Sequence, residues 1–455
     1  PKTKVRYPKL TRKEGVGATT PGCTFVAMLF QFGARSSLLL PFVVPGVVAT
    51  LWLLGRALRR GALADALLAL LIGLPTLTIA QWMLGYAGWY DSHDWHSTFM
   101  FYMPWQLNLL LGPAYYLYFR SLTNQEFRLL PRAWWHFLPG LMKIGLFVVA
   151  VAYDLLWWQG VQARPLPAHF GTKGPVAELL DALSTPLAYL MFVLLPAYTW
   201  WVLVDYRRYR RYLNDNFSDA ERLRFVGLRQ LLLIQVLTQV LSLLFTVLDA
   251  VFDFGYAEAW YYFALRGLFI YGLVVIGIQA NYAAATSPLR FEPGAPASAA
   301  EEEPVGKLAS DQVPVAETAP TLADSIPGGA PRRPAAPAAL APELLPLRDK
   351  LLDLMQTAQP WLEPELTLTE LALRLRTNSA LLSKVINTGC GQNFNDFVNT
   401  YRVQEAQRKL ADPRFAHYSL VGVALESGFN SKSTFNRVFK KLLGQAPSEV
   451  ARPKL

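Results

Sequence analysis

Cysteine is nearly missing. Cys23 and Cys390 are the only two among 455 residues, too far apart and too few for a disulfide framework or a cysteine-based zinc site. Histidine is scarce as well, with five copies. Charged residues are only 17% of the chain against 53% hydrophobic, which is not the composition of a soluble basic protein. The apolar half has no Gly-x-Ser-x-Gly, no His-Glu-x-x-His, no phosphate loop and no kinase signature. The reading is therefore of a non-enzyme, with no cofactor and no resident metal.

What is present falls into segments. The apolar residues concentrate before residue 284, so the formal charge of +10 has to be read piece by piece. Lys2, Lys4, Arg6, Lys9, Arg12 and Lys13 crowd a short arm, and residues 1–27 read as an extension ahead of a natural start at Met28. From residue 28 to 283 the chain is a series of apolar blocks of bilayer-spanning length, near 30–54, 63–85, 100–119, 136–157, 178–204, 226–250 and 260–282. The prediction is a seven-helix transmembrane bundle. Soluble buried helices would need polar backs, and stretches such as Leu67–Ala80 and Leu268–Ile278 lack one.

Lys and Arg in the short loops set the orientation. Arg56, Arg59, Arg60, Arg120, Arg128, Arg132, Arg207, Arg208, Arg210, Arg211, Arg222 and Arg224 follow the odd-numbered blocks, against only Arg164 and Lys173 after the even ones. The first set belongs in the cytoplasm. The reading is a bacterial inner-membrane, multi-pass protein with its N-terminus outside and its C-terminus inside. Trp89, Trp134, Trp135, Trp157, Trp158, Trp200, Trp201 and Trp260 gather at block edges, as interfacial anchors do.

Three polar features of this half are candidate sensor elements. Asp91, His93, Asp94 and His96 share an outer loop, which reads either as a weak metal or proton sensor or as plain polar surface. Arg266 lies inside the last block, where a charge is costly and is expected to pair, with Asp249 or Asp253 nearest in sequence. That pairing is either structural closure or part of a signal pocket. Lys143 reads as snorkelling to the inner edge, and His136 has no evident partner.

Composition changes after Tyr282. Residues 284–342 are rich in Ala, Pro, Glu and Gly and read as a disordered tether. At 59 residues its reach is roughly 40–45 Å. From 343 to 455 the pattern is helical with polar faces. A lead-in helix spans Leu344–Met355. Two similar units follow: Leu368–Leu375, a turn at Arg376–Asn378, then Ser379–Asn387; and Leu420–Ser427, a turn at Gly428–Asn430, then Ser431–Lys441. Ala372 and Ala424 occupy the same place, Leu382 and Phe435 are matching core anchors, and the second turn is one residue longer. Ser431 is placed to cap its helix, and Gly428 can take a left-handed backbone. A long helix, Phe394–Leu410, joins the units. Each unit is a helix-turn-helix by length, turn and burial pattern.

Leu382-Ser-Lys-Val385, Gly391-Gln-Asn-Phe394, Tyr401-Arg-Val-Gln-Glu-Ala406, Gly428-Phe429, Ser433-Thr-Phe-Asn-Arg-Val-Phe-Lys-Lys441 and Ala446-Pro447 together resemble the DNA-binding domain of the AraC/XylS family of bacterial transcription regulators. The resemblance covers about residues 345–452. It departs from the family pattern at Arg376, where the turn often has a small residue, and at Cys390. The apolar half resembles a membrane-bound subset of that family. The resemblance implies two recognition helices in successive major-groove segments of double-stranded DNA. By position, Ala380, Ser383 and Lys384 of the first, and Lys432, Ser433, Asn436 and Arg437 of the second, would face bases. Lys440 and Lys441 would meet phosphates. Residues 361–455 hold 13 Lys/Arg against 8 Asp/Glu, so general attraction to DNA is present too.

The expected whole is a membrane-anchored transcription regulator, with DNA, the bilayer, a second copy of itself and a signal ligand or membrane partner as its associates. Because a disordered tether transmits torque poorly, pairing in the membrane or proteolytic release is expected over rigid transmission. Two alternatives stay open: a membrane transporter or enzyme with an autoregulatory DNA-binding tail, and a tail that binds protein instead of DNA.

Overall fold

The structure, a computed structural model, describes residues 33–124, 127–221, 223, 225–279, 291, 340–415 and 417–450. The basic arm and, apart from Phe291 and residues 340–342, the 284–342 stretch lie outside the described residues. By its contacts the chain divides into two units: Pro1–Tyr206 with Phe225–Ala283, and Arg207–Arg224 with Ala284–Leu455.

The first unit is built from α1 (Leu40–Arg60), α2 (Leu63–Tyr86), α3 (Trp95–Tyr102), α4 (Leu111–Thr123), α5 (Leu138–Ala150), α6 (Pro175–Asn216), α7 (Val226–Phe252) and α8 (Tyr256–Gln279). The last turns of α6 fall in the second unit. A wider π-type coil, Val151–Val161, continues α5. Among the described residues, six segments are long and apolar enough to cross a membrane: Ala34–Arg60, Leu63–Tyr86, Pro131–Val161, Tyr189–Asn216, Gly227–Phe252 and Tyr256–Gln279. They correspond to six of the seven predicted blocks.

The remaining block, 100–119, is not one helix. It is α3 and α4, separated by non-helical backbone around Met103–Leu107. Pro104 explains the break, since it supplies no N–H and its ring crowds the preceding turn. The carbonyls so freed find donors: Gln106 O accepts from Lys143 Nζ at 2.8 Å and Met100 O from Trp105 Nε1 at 3.1 Å. Irregular backbone within an apolar bundle needs that kind of internal satisfaction. Lys143 is accordingly buried and does not snorkel. Its ammonium is a structural donor, which its position near a block end concealed.

Within this unit α2 is central, packed against α1, α4 and α8. Leu68, Leu71, Ile72 and Ile79 are fully buried, which is why α2 has no polar back. Close approach of α1 depends on Gly46, where an added Cβ would fall 2.3 Å from Thr76 Oγ1, the small-residue contact that membrane helices favour. Two buried carboxylates complete the packing. Asp65 accepts from Nε and Nη2 of Arg56, at 2.8 and 2.5 Å. Asp154 accepts from Tyr102 and from the backbone N–H groups of Val176 and Ala177 at the start of α6, where a helix dipole favours negative charge.

The second unit contains α9 (Leu345–Thr357), α10 (Leu368–Arg374), α11 (Ser379–Lys384), α12 (Phe394–Ala411), α13 (Leu420–Glu426) and α14 (Lys432–Leu443). These agree with the predicted helices to within a few residues. The largest difference is in the first recognition element, which is α-helical only to Lys384 and then opens into a π-type turn over Val385–Gly389. Polar caps start five of these six helices. Thr367 and Glu370 form a capping box at α10, and Asn378, Asn393, Ser419 and Ser431 accept from backbone N–H groups at α11, α12, α13 and α14. Each such cap is worth about 1 kcal/mol.

Two cores result, and α12 supplies both. Its first half gives Phe394, Phe397 and Val398 to a cluster with Leu371, Leu382 and Ile386. Its second half gives Val403 and Ala406 to a cluster with Ala424, Phe429, Phe435 and Phe439. Each fully buried side chain of this size stabilises the fold by about 1.5–3 kcal/mol.

Candidate nucleic-acid interface

On α14 the buried positions Phe435, Val438 and Phe439 fix the helix against α12 and α13. Lys432, Ser433, Asn436, Arg437 and Lys440 fall on the other side and are exposed, spaced as i, i+1, i+4, i+5 and i+8, so they form one stripe. On α11, Leu382 is buried while Ala380 and Lys384 are exposed and Ser383 is half-buried, its Oγ accepting from Asn387 Nδ2 at 3.2 Å. Both helices thus present an anchored back and a polar front, the layout a major groove can use. Lys441 differs from the reading of its sequence position in one respect. It is paired with Asp396 on α12 at 2.6 Å.

The turns have one geometry despite different sequences. Gly428 has φ +85° and Arg376 has φ +52°. In each, the following N–H returns to the matching alanine: Thr377 N to Ala372 O and Phe429 N to Ala424 O, both at 3.0 Å. Arg376 therefore takes the left-handed conformation at some strain, and the first unit keeps the turn that its sequence puts in question.

Sequence reasoning missed Arg402. It is 1% exposed and ties three carbonyls of the segment before α10, through Nε to Trp361 O at 2.7 Å and Nη2 to Glu363 O at 2.7 Å and Pro364 O at 3.3 Å. Burial pulls its guanidinium down to about 10, with Asp219 acting the other way. The signal was available: Val398, Arg402 and Ala406 lie four apart on the buried stripe of α12.

Also missed was the loop after α6, within this same unit. Phe217 pairs with Thr367 as an isolated β-bridge. Ser218 N donates to Leu366 O at 3.2 Å, Ser218 O accepts from Asn395 Nδ2 at 2.7 Å, and Ser218 Oγ accepts from Arg402 Nη2 at 3.1 Å. Asp219 Oδ2 accepts from Asn430 Nδ2 at 3.0 Å in the second turn. Glu221 Oε1 lies 3.0 Å from Arg437 Nη2, and both side chains remain partly exposed. A base-facing candidate is thus held by a carboxylate of the same chain. Phe291, within the stretch read as a tether, is buried in this unit against Tyr209 and Tyr212.

The candidate sensor residues are scattered. His96 Nδ1 is 2.8 Å from Asp94 Oδ2, with its ring stacked on Trp95 at 3.8 Å. Asp94 is held below the usual carboxylate range: the slight burial works against this, but bonds from Ser92 and His96 outweigh it. His93 instead faces Phe170. Among the described residues no group of three or more His, Cys, Asp or Glu is placed to hold a metal ion. His136, read as unpartnered, contacts Tyr198 Oη through Nδ1 at 2.8 Å. Arg266 pairs with neither Asp249 nor Asp253. Its Nη1 donates to Tyr262 Oη at 3.3 Å, one turn away.

With this geometry in place, comparison with known proteins is consistent in one region. Residues 362–453 match the family model described as a helix-turn-helix domain. The C-terminal domain is an AraC-type helix-turn-helix domain. Among similar proteins, the uncharacterized HTH-type transcriptional regulator YtdP of Bacillus subtilis (strain 168) is 34% identical over 92 residues, 20% of this chain and 12% of that protein. Uncharacterized HTH-type transcriptional regulators of Staphylococcus aureus strains COL and MSSA476 are each 31% identical over 85 residues, 19% of this chain and 11% of theirs. The matched region thus covers only about an eighth or less of those relatives' length. No solved structure matches the chain.

Proposed function

We propose that the protein is a membrane-anchored, sequence-specific DNA-binding transcription regulator, with its first unit in the inner membrane and its C-terminal domain in the cytoplasm. The observation that carries this is the pair of helix-turn-helix units with exposed donor stripes, in one chain with six apolar helices of spanning length. The alternation of arginine-rich and arginine-poor loops supports the orientation, and it holds only if the broken α3–α4 segment also crosses. The first unit serves to sense an envelope or membrane signal.

The docked loop suggests how DNA reading is regulated. Asp219 and Glu221 put two carboxylates beside the second recognition helix, where DNA would otherwise come, and Glu221 pairs with Nη2 of Arg437. DNA and the loop compete for that side chain. The Glu221–Arg437 pair is half-exposed and contributes at most about 1 kcal/mol, so the gate is a light one. Genome-wide footprinting of the full chain tests the reading. Arg437→Ala and Lys384→Ala should each lose sites while membrane insertion is unchanged, and Glu221→Gln should gain occupancy by up to about fivefold. Unchanged footprints in both alanine variants would remove the assignment of these helices to DNA.

A further inference from the structure

Arg266 was expected to be balanced by an aspartate, and it is not. It is the eleventh residue of α8 (Tyr256–Gln279), about 15 Å along a helix about 36 Å long, so it lies near mid-helix instead of near an end. The residue is 7% exposed, and its Nε is buried with no hydrogen-bond partner. It lines a cavity of about 210 Å³ among α2, α4, α6, α7 and α8. Gln235 and Ser242, both buried, line the same cavity, and among the described residues the Gln235 amide makes no hydrogen bond. Ser242 Oγ and Tyr262 Oη meet at 2.9 Å beside the guanidinium. Thr238 and Gln239 also line it, bonded to Ile234 O and Thr199 Oγ1. The rest of the wall is largely apolar, with Leu195, Ile270 and Leu273 among its members, and among the described residues no acidic side chain lines it.

We infer that this cavity binds a small monocarboxylate with an apolar body, its carboxylate on the Arg266 guanidinium and Gln235, and its body against the α4, α6 and α8 walls. The reasons are charge, geometry and size. A guanidinium within the apolar part of a membrane calls for an anion, and among the described residues none pairs with it. Its planar fork matches a carboxylate through two parallel N–H···O bonds. One cation neutralises one negative charge, whereas a phosphate monoester brings nearly two. A cavity of 150 Å³ holds a benzene-sized molecule, so 210 Å³ accommodates a body slightly larger, and a two-chain phospholipid is excluded by volume. The inference rests on the reading of this unit as a membrane unit, and it assigns to the proposed sensor a chemical class of signal. The acid can reach the cavity from water or from the bilayer.

The test uses the full chain in nanodiscs of zwitterionic lipid, with equilibrium dialysis of labelled octanoate against empty discs. The expected result is saturable uptake at one site per chain, displaced by unlabelled octanoate and at least tenfold less well by octanol or octyl phosphate. Arg266→Gln should weaken uptake at least tenfold, and Arg266→Lys should restore part of it, with helix content by circular dichroism unchanged in both. A long-chain fatty acid loaded into the discs should not compete, since its body exceeds the cavity; competition equal to that of unlabelled octanoate would overturn the small-acid assignment. Equal displacement by octanol, equal displacement by octyl phosphate, no uptake above empty discs, or wild-type uptake by Arg266→Gln would each overturn the carboxylate site. A chain that fails to co-migrate with the discs overturns the membrane reading itself, a result separable from the other outcomes.

Discussion

The two helix-turn-helix units solve one geometric problem with different materials. The second uses Gly428 at φ +85° and a recognition helix of 12 residues that ends on left-handed Gly444. The first uses Arg376 at φ +52°, and its recognition helix runs only six residues before the π-type turn. Both turns return to an alanine through the same 3.0 Å bond. The comparison teaches that the left-handed turn itself does not require glycine, whereas at 428 the close approach of Trp361 O leaves no room for a Cβ. It also separates the units functionally. The loop after α6 pairs with Arg437 of the second recognition helix, while among the described residues Lys384 of the first makes no ion pair. Cys390, the other departure from the family pattern, closes the first π-type turn half-buried. Burial pushes its thiol up, against an opposing effect of Arg348, so it is not poised for reaction.

The largest effect should come from emptying the cores. Phe435→Ala is expected to cost about 3–5 kcal/mol and Leu382→Ala about 2–5 kcal/mol. Hydrogen exchange on the full chain should show each loss confined mainly to its own unit. Loss of protection in both units together would mean that α12 makes them one cooperative body. Gly428→Ala comes next, at about 2–4 kcal/mol, because an added Cβ would lie 2.5 Å from Trp361 O. In DNA binding, Arg437→Ala and Lys384→Ala are each expected to cost about 1–3 kcal/mol. The Arg437→Ala loss should grow by up to about 1 kcal/mol in a Glu221→Gln background, and the Lys384→Ala loss should not. A double-mutant cycle read by titration with an operator fragment checks this, and equal losses in both backgrounds would sever the loop from DNA reading. The smallest effect is Arg376→Gly, which should stabilise the first unit by up to about 1 kcal/mol by removing left-handed strain. Destabilisation in urea unfolding would show that the arginine side chain contributes something the turn needs.

Much of the C-terminal domain was legible because its rules are local. Ser431 caps its helix as its position indicates, and Leu382 and Phe435 are fully buried, as helical periodicity requires. Long apolar runs likewise announced six helices of spanning length. What was not legible depended on partners distant in sequence. Arg402 reads as one more surface cation until the carbonyls of Trp361 and Glu363 are seen around it. Asp219 and Glu221 sit among arginines and read as part of a basic loop, since nothing local says that they reach the second turn and Arg437. For Arg266 the nearest aspartates in sequence are the expected partners, whereas helix rotation leaves it facing a cavity. The sequence reads 100–119 as one block, and neither the break at Pro104 nor its satisfaction by Lys143, 37 residues from Gln106, follows from local rules.

The contact between the loop and the second unit joins parts of one polypeptide, and that changes how strong it must be. An intramolecular partner is present at an effective concentration of the order of millimolar for connections of modest length. A contact with a dissociation constant in that range is already half occupied. It would be undetectable between separate molecules, yet here it acts as a standing threshold. A specific operator binds in the range of about 10⁻⁸–10⁻¹¹ M and displaces it readily, whereas non-specific DNA, at about 10⁻⁴–10⁻⁶ M, meets a closer competition. Asp219 and Glu221 would then act mainly as a filter against random sequence, cutting the time the domain spends on the wrong DNA more than the time it spends on the right one.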